Sequence, residues 1–254
     1  MDLAPSPDWD HAARYSEAHA RVRAAEAACG RAGAGVRILV ATKSFGVEAV
    51  LAACAGGVRL VGENRMQELA LKGPAFVEAG AEIHVIGPLQ RNKAETAVRW
   101  AQCVQTVVSL ALAERLSRLC LKASRAMDVM VQVNVSGEGS KHGVVPGEAY
   151  ALAAAVAALP ALTVTGFMTV GLNSPDEATV RAGYARLREI RDDAVVRAER
   201  GENSALAHAW ELSMGMSGDL EWAIAEGATI VRLGTAVMGE RGPGSDTGAS
   251  QCQS

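Results

Sequence analysis

Lys43 stands directly behind an apolar run, Arg37–Thr42, in the stretch "RILVATKSFG". A lysine held out of water loses part of its affinity for a proton and becomes a nucleophilic amine. Its usual chemistry is then a Schiff base with a carbonyl compound. The other reading is a solvated lysine that merely follows a finished strand. Arg232 poses a second question, because it lies inside the apolar run "TIVRLG", between Val231 and Leu233. A guanidinium that is always charged needs fixed acceptors there, supplied either by a bound molecule or by a core carboxylate. Gly234 and Thr235 follow at once and open a final helix. Ser213 and Ser217, in "LSMGMSGDLEWAIAEG", precede another helix patterned by Leu220, Ala223 and Ile224. Backbone N–H groups at such helix starts, approached closely over glycine, bind phosphate. Ser217 equally fits a helix N-cap, and Asp219 and Glu221 fit the first turn that follows.

These residues need a scaffold that brings them together, and the sequence supplies a regular one. Short apolar runs recur along the chain: "RILVAT", "VRLVGE", "EIHVIG", "CVQTVV", "DVMVQVNV", "LTVTGFMTV", "ELSMGM" and "TIVRLG". Most are followed by an Ala/Glu/Arg-rich helical stretch, the pattern of parallel βαβ units. Eight in succession without a long linker predict an α/β fold, a single (β/α)8 TIM barrel; a doubly wound open sheet is the alternative. The Ala-rich segment "WDHAARYSEAHARVRAAEAACGRAG" adds an extra N-terminal helix. Residues 1–10 and 242–254, polar or rich in Gly, Pro and Ser, are expected to be disordered and to flank a barrel over 11–241. In such barrels the chemistry collects after the strands. Lys43, Glu63–Asn64, "GPLQRNK" (Gly87–Lys93), Asn134, Ser136, Ser213–Asp219 and Arg232–Thr235 all fall there. On a strand of period two, Lys43 shares the face of Leu39 and Ala41, and Arg232 that of Ile230 and Gly234. Closing the barrel sets the first and eighth strands side by side.

Other features point less sharply. Glu63 and Asn64 fit either the barrel mouth or a cap of the next helix. His84, between Ile83 and Val85, reads as a core histidine with its bonds satisfied. "GEGSKHG" (Gly137–Gly143) reads as a mobile loop from which Lys141 or His142 could reach a ligand. No pair of histidines has metal spacing, and no dinucleotide, nucleophile-elbow or phosphate-loop motif is present.

The chain has 254 residues and a formal net charge of -3, with 49% hydrophobic but only 4% aromatic residues. That is enough apolar material for a large core built from Ala, Val and Leu. The charge gives no reason to expect a nucleic-acid partner. The longest apolar stretch is broken by Pro160 and is too short to span a bilayer, and the acidic N-terminus is unlike a signal peptide. Five scattered cysteines (Cys29, Cys54, Cys103, Cys120, Cys252) without a CxxC suit free thiols in a reducing cytoplasm.

One amine, one phosphate cradle and one buried guanidinium match a ligand with an aldehyde, a phosphate ester and a ring nitrogen, as in pyridoxal 5'-phosphate. A sugar-phosphate aldolase would use the first two and leave Arg232 without a task. The stretches "LVATKSFGVEAV", "VGENRMQEL", "HVIGPLQRNKA", "VQVNVSGEGSKHGV", "LTVTGFMTVG" and "LSMGMSGDLEWAIAEGATIVRLGTAVMGER" resemble the pyridoxal phosphate homeostasis protein family, related to the alanine racemase barrel. The resemblance runs from about Leu39 to Arg241. It implies pyridoxal phosphate covalently bound on Lys43, with Arg232 facing the pyridine nitrogen and Asn64 near the cofactor. It places the phosphate on the turn Ser213, Met216 and Ser217 and on Gly234 and Thr235. It also implies a monomer that keeps the cofactor in homeostasis and hands it to apo-enzymes, with no efficient turnover, since the related racemases draw a second base from a C-terminal β-domain for which little sequence remains here. A small racemase using His142 or Lys141 as second base is the enzymatic alternative. The chain departs from the family pattern at Ser44-Phe45-Gly46, where a second lysine and a proline usually follow.

Overall fold

A computed structural model describes residues 9–138 and 142–239 of the chain. Of the ends expected to be disordered, 1–10 and 242–254, residues 1–8 and 242–254 (with Cys252) lie outside these residues, as does Lys141 of the expected mobile loop. An opening helix, α1 (His11–Ala28), precedes β1 (Arg37–Ala41). Strands and helices then alternate: α2 (Val47–Ala55), β2 (Leu60–Glu63), α3 (Met66–Glu78), β3 (Glu82–Val85), α4 (Ala94–Trp100), β4 (Cys103–Val107), α5 (Leu110–Lys122) and β5 (Met127–Gln132). The second half continues with α6 (Ala149–Ala157), β6 (Leu162–Met168), α7 (Glu177–Glu199), β7 (Glu211–Ser213), α8 (Leu220–Ala225), β8 (Ile230–Leu233) and the four-residue α9 (Thr235–Met238). The eight strands pair in parallel, in chain order, and close with β1 on β8. All eight apolar runs are therefore strands, and the open-sheet alternative falls.

The strands of such a barrel are covered on both faces, so they read as nearly continuous apolar runs. Two apolar clusters result. Ile38, Val40, Val61, Ile83, Val85, Val104, Val129, Val131, Val231 and Leu233 face outward beneath the helices and belong to the larger cluster. Leu39, Leu60, Cys103, Met130, Met168 and Ile230 fill the interior, with Ile86 packed against them. The alternation is strict on β1 and β8: Leu39 and Ile230 point in, Ile38, Val40, Val231 and Leu233 point out. Burying this much aliphatic surface, at about 25 cal/mol per Å², supplies the drive that a chain poor in aromatics must draw from Val, Leu and Ala. Among the described residues no helix is long and apolar enough to cross a membrane.

The start of α1 is tied to the end of the barrel. Asp10 caps the helix, its carboxylate accepting from the Ala13 N–H. Trp9 donates its indole N–H to the Val237 carbonyl at 2.8 Å. The helix then lies along α8 and α9: Arg21 makes a bidentate pair with Glu221 at 2.5 and 2.7 Å, and Arg31 donates to the Ile224 and Ala228 carbonyls.

Candidate functional site

Lys43 begins a tight turn between β1 and α2. Ser44 takes a left-handed conformation (φ 68°), Phe45 is buried in the outer core, and Gly46 caps α2. The segment that departs from the family pattern is thus built as a turn with an apolar anchor. Leu39 points into the barrel, so the alternation puts Ala41 on the same inner side, and Lys43 follows two residues on in the turn that leaves the strand. Lys43 itself is half-buried.

The peptides on either side of Lys43 are held from behind, on the outward face of the sheet. Thr42 is fully buried; its hydroxyl donates to Glu63 Oε1 at 2.6 Å. Lys72, from α3 and 4% exposed, donates to the Thr42 carbonyl (2.7 Å), to Glu63 Oε1 (2.8 Å) and to Glu68 Oε2 (2.9 Å). Glu68 Oε2 in turn accepts the Ser44 N–H at 2.7 Å. Burial pushes the Glu63 carboxyl above its ordinary value, against the charge and hydrogen bond of Lys72. Burial also acts on Glu68, but the hydrogen bonds from Lys72 and Ser44 outweigh it and leave that carboxyl below its ordinary value. Glu63 therefore neither lines the mouth nor caps α3, whose N-cap is Arg65.

Arg232 is paired in register with Leu39 and shares the inward face of Ile230. It is 6% exposed, and its acceptors are the Ser213 carbonyl (2.8 Å), the Ser213 hydroxyl (3.0 Å) and the Thr169 carbonyl (2.7 Å). No direct carboxylate partner is among them, so the expected alternative of a core ion pair does not hold at contact distance. Burial weakens the hold on its proton, opposed by Tyr184 and Asp219, but a guanidinium stays charged in proteins. Three of its five N–H donors are engaged. Ser213 passes the chain on: its hydroxyl meets Gln105 Oε1 at 2.6 Å, Gln105 Nε2 meets His84 Nδ1 at 2.7 Å, and His84 Nε2 meets Glu82 Oε1 at 2.7 Å. His84 is the satisfied core histidine that its apolar neighbours suggest.

Gly234 caps α9, and Thr235 is its exposed first residue. A Cβ built on Gly234 would meet only Ala41, at 3.9 Å. Packing does not demand glycine there; the open space above the backbone is what an anionic group could fill. The second half of the cradle is the turn before α8. Ser217 is not the N-cap, which is Asp219. Asp219 accepts from the Met216 N–H at 2.6 Å and from the Tyr184 hydroxyl at 2.6 Å. Met216 is exposed with its N–H committed, while the Ser217 hydroxyl has no partner among the described residues and the Ser217 carbonyl is held by Arg21 at 2.9 Å.

Asn64 follows β2, half-buried, above the close backbone approach of Gly87; a Cβ on Gly87 would fall 2.2 Å from the Asn64 carbonyl oxygen. A cleft of about 650 Å³ opens there, lined among others by Asn64, Arg65, Glu68, Gln90 and Lys93. Lys43, Arg232 and Gly234 do not line it. Asn134 and Ser136 bond each other in their own loop. The sequence reading missed Lys72, Glu68 and Gln105. The four-residue spacing of Glu68 and Lys72 on one helix face was the available signal.

The chain matches the model of the alanine racemase N-terminal domain over residues 16–242. It is 38% identical over 226 residues to a pyridoxal phosphate homeostasis protein of Vibrio cholerae, covering 87% of this chain and 92% of that one. A crystal structure of an unknown protein from Bifidobacterium adolescentis superposes with a TM-score of 0.84 at 36% identity, over 90% of this chain and 94% of the other. PipY of Synechococcus elongatus, solved with PLP bound, gives 0.76 at 29% identity, over 90% of this chain and all (100%) of PipY.

Proposed function

The chain belongs to the alanine racemase N-terminal domain family and stands with the pyridoxal phosphate homeostasis proteins, and on that premise we propose that it binds pyridoxal 5'-phosphate on Lys43 and serves intracellular homeostasis of that cofactor. The observation that carries this reading is the meeting of strands β1 and β8. It sets Leu39 opposite Arg232 and Ala41 beside Gly234, which supports one mouth shared by the amine, the guanidinium and the glycine-floored space.

When bound, pyridoxal phosphate supplies an aldehyde that bonds amines reversibly and a ring that withdraws electrons. Lys43 attacks the aldehyde carbon, a C=N bond forms, and water leaves; hydrolysis reverses the step. Ser217, Gly234 and Thr235 hold the phosphate through hydroxyl and backbone N–H groups. Arg232, which only donates, would face the ring nitrogen with a remaining N–H and disfavour its protonation. Ser213 acts from below as an acceptor that orients Arg232, and the turn at Met216 is braced by Asp219. Asn64 lines the side of the ring. An unprotonated ring is a weak electron sink, which supports a carrier without efficient turnover. Release to apo-enzymes, existence as a monomer and a cytoplasmic location complete the reading; the buried free thiols Cys54, Cys103 and Cys120 suit a reducing compartment.

The test is the colour of the protein. The purified chain with pyridoxal phosphate is expected to be yellow, to bleach with borohydride, and to carry the reduced adduct on Lys43. A colourless protein that takes up no added cofactor overturns the reading. Steady amino-acid racemisation abolished by Lys43→Ala would establish the enzymatic alternative instead.

A further inference from the structure

Two lysines serve this mouth, and their surroundings assign them opposite tasks. Lys72 Nζ makes three short contacts, to the Thr42 carbonyl and to two carboxylates. An ammonium has three N–H bonds, so this geometry uses each of them and leaves no lone pair for attack. Its acceptors converge on the residues that flank Lys43. Glu63 takes the Thr42 hydroxyl, Lys72 takes the Thr42 carbonyl, and Glu68 takes the Ser44 N–H. Both peptide neighbours of Lys43 are thereby tied to a single buried charge cluster.

The alternation of the strands explains why the cluster can do this without filling the mouth. Leu60 faces the interior and Val61 the helices; Glu63 therefore points outward, as does Thr42, which continues the parity of Val40. The charges sit behind the sheet under α3, and the inner side is left to Lys43. The turn also contains a non-glycine residue in the left-handed region, Ser44 at φ 68°, a conformation that persists where surrounding contacts over-determine it. The Glu68 bond to the Ser44 N–H is such a contact.

We propose that Glu63, Lys72 and Glu68 form a positioning clamp for Lys43, in which Lys72 is a strut with its three N–H bonds engaged and Lys43 the reacting amine. The inference rests on the reading that Lys43 bonds pyridoxal phosphate. In the step it serves, the Lys43 amine adds to the aldehyde, C=N replaces C=O, and the oxygen leaves as water. The clamp touches neither the aldehyde nor the nitrogen; it limits the orientations Lys43 must search before attack.

The test uses the full apo chain and added pyridoxal phosphate. Wild type, Lys43→Ala, Glu68→Ala, Glu68→Gln and Lys72→Met are compared by the rate at which the visible band of the C=N link appears. Borohydride reduction followed by peptide mass mapping then locates the adduct, and thermal melts show that each variant is folded. Glu68→Ala and Lys72→Met are expected to modify Lys43 on the order of tenfold more slowly, about 1.4 kcal/mol of lost positioning. Glu68→Gln, which keeps an acceptor for the Ser44 N–H, is expected to fall between Glu68→Ala and wild type. Lys72→Met strands the buried Glu63 carboxylate; if it does not fold, Glu68→Ala and Glu68→Gln decide alone, since removing Glu68 leaves Lys72 paired with Glu63. Wild-type rates in a folded Glu68→Ala, or equal rates for the Ala and Gln variants, overturn the clamp alone. A wild type that forms no link, or a Lys43→Ala chain modified as fast as wild type, overturns the parent reading and the clamp with it.

Discussion

Replacing Gln105 by leucine tests whether the row of hydrogen bonds from Arg232 to Glu82 is part of what holds the barrel together. Gln105 is fully buried and makes two short bonds, 2.6 Å to the Ser213 hydroxyl and 2.7 Å to His84 Nδ1. Leucine removes both and leaves the Ser213 O–H without an acceptor and His84 Nδ1 without its amide partner inside the barrel. Each such group costs about 1–3 kcal/mol. The apolar side chain returns about 1–2 kcal/mol of burial, so the net loss is about 2–4 kcal/mol. For a chain of this size each kcal/mol lowers the melting temperature by about 2–4 °C, and the expected drop is about 5–15 °C by circular dichroism. Affinity for pyridoxal phosphate, titrated by absorbance at a temperature where both proteins are folded, is expected to fall as well, because Ser213 orients Arg232. A Gln105→Leu protein that melts within about 2 °C of wild type and binds equally well would refute the reasoning.

Arg21→Ala removes the grip of α1 on the Ser217 carbonyl and on Glu221; since this pair is well exposed, stability is expected to change by less than about 1 kcal/mol while cofactor titration shows a several-fold weaker phosphate cradle. Gly87→Ala drives a Cβ to 2.2 Å from the Asn64 backbone and is expected to cost about 1–3 kcal/mol in denaturant unfolding, with loss of cofactor affinity through Asn64. Glu68, whose carboxyl sits below its ordinary value in the fold, contributes stability that is complete above the unfolded value of about 4.3 and fades as pH falls through the lower folded value. The melting temperatures of wild type and Glu68→Gln are therefore expected to differ at neutral pH and to converge below about pH 4. A difference that grows with acid would contradict the sign.

The barrel was legible because its strands announce themselves. Eight apolar runs separated by helical stretches admit few arrangements, and the parity of Lys43 with Leu39 and of Arg232 with Ile230 already aimed both side chains inward. The clamp was not legible in the same way. Glu68 and Lys72 look like an ordinary helix-surface pair until α3 is laid against the end of β1, and nothing local says that Thr42 will meet them. Ser217 likewise reads as a cap; only the tertiary contact of Asp219 with Tyr184, 35 positions apart, explains why the capping position falls on Asp219. The acceptors of Arg232 come from Ser213 and Thr169 on neighbouring parts of the barrel, and a one-dimensional reading could only state that acceptors must exist.

The order of donors in the barrel interior links Arg232 to a carboxylate far from it. A guanidinium only donates, so Ser213 must accept from it and give its own proton to Gln105. The Gln105 amide then donates to His84 Nδ1, and His84 offers its remaining N–H to Glu82. Every dipole in the row points the same way, from the Arg232 guanidinium to the Glu82 carboxylate, where Glu82 and Arg37 line a cavity of about 310 Å³. Arg232 and Glu82 thus stand at the two ends of one hydrogen-bonded row, and Arg37, 3.2 Å from Glu82, supplies the charge partner at the far end.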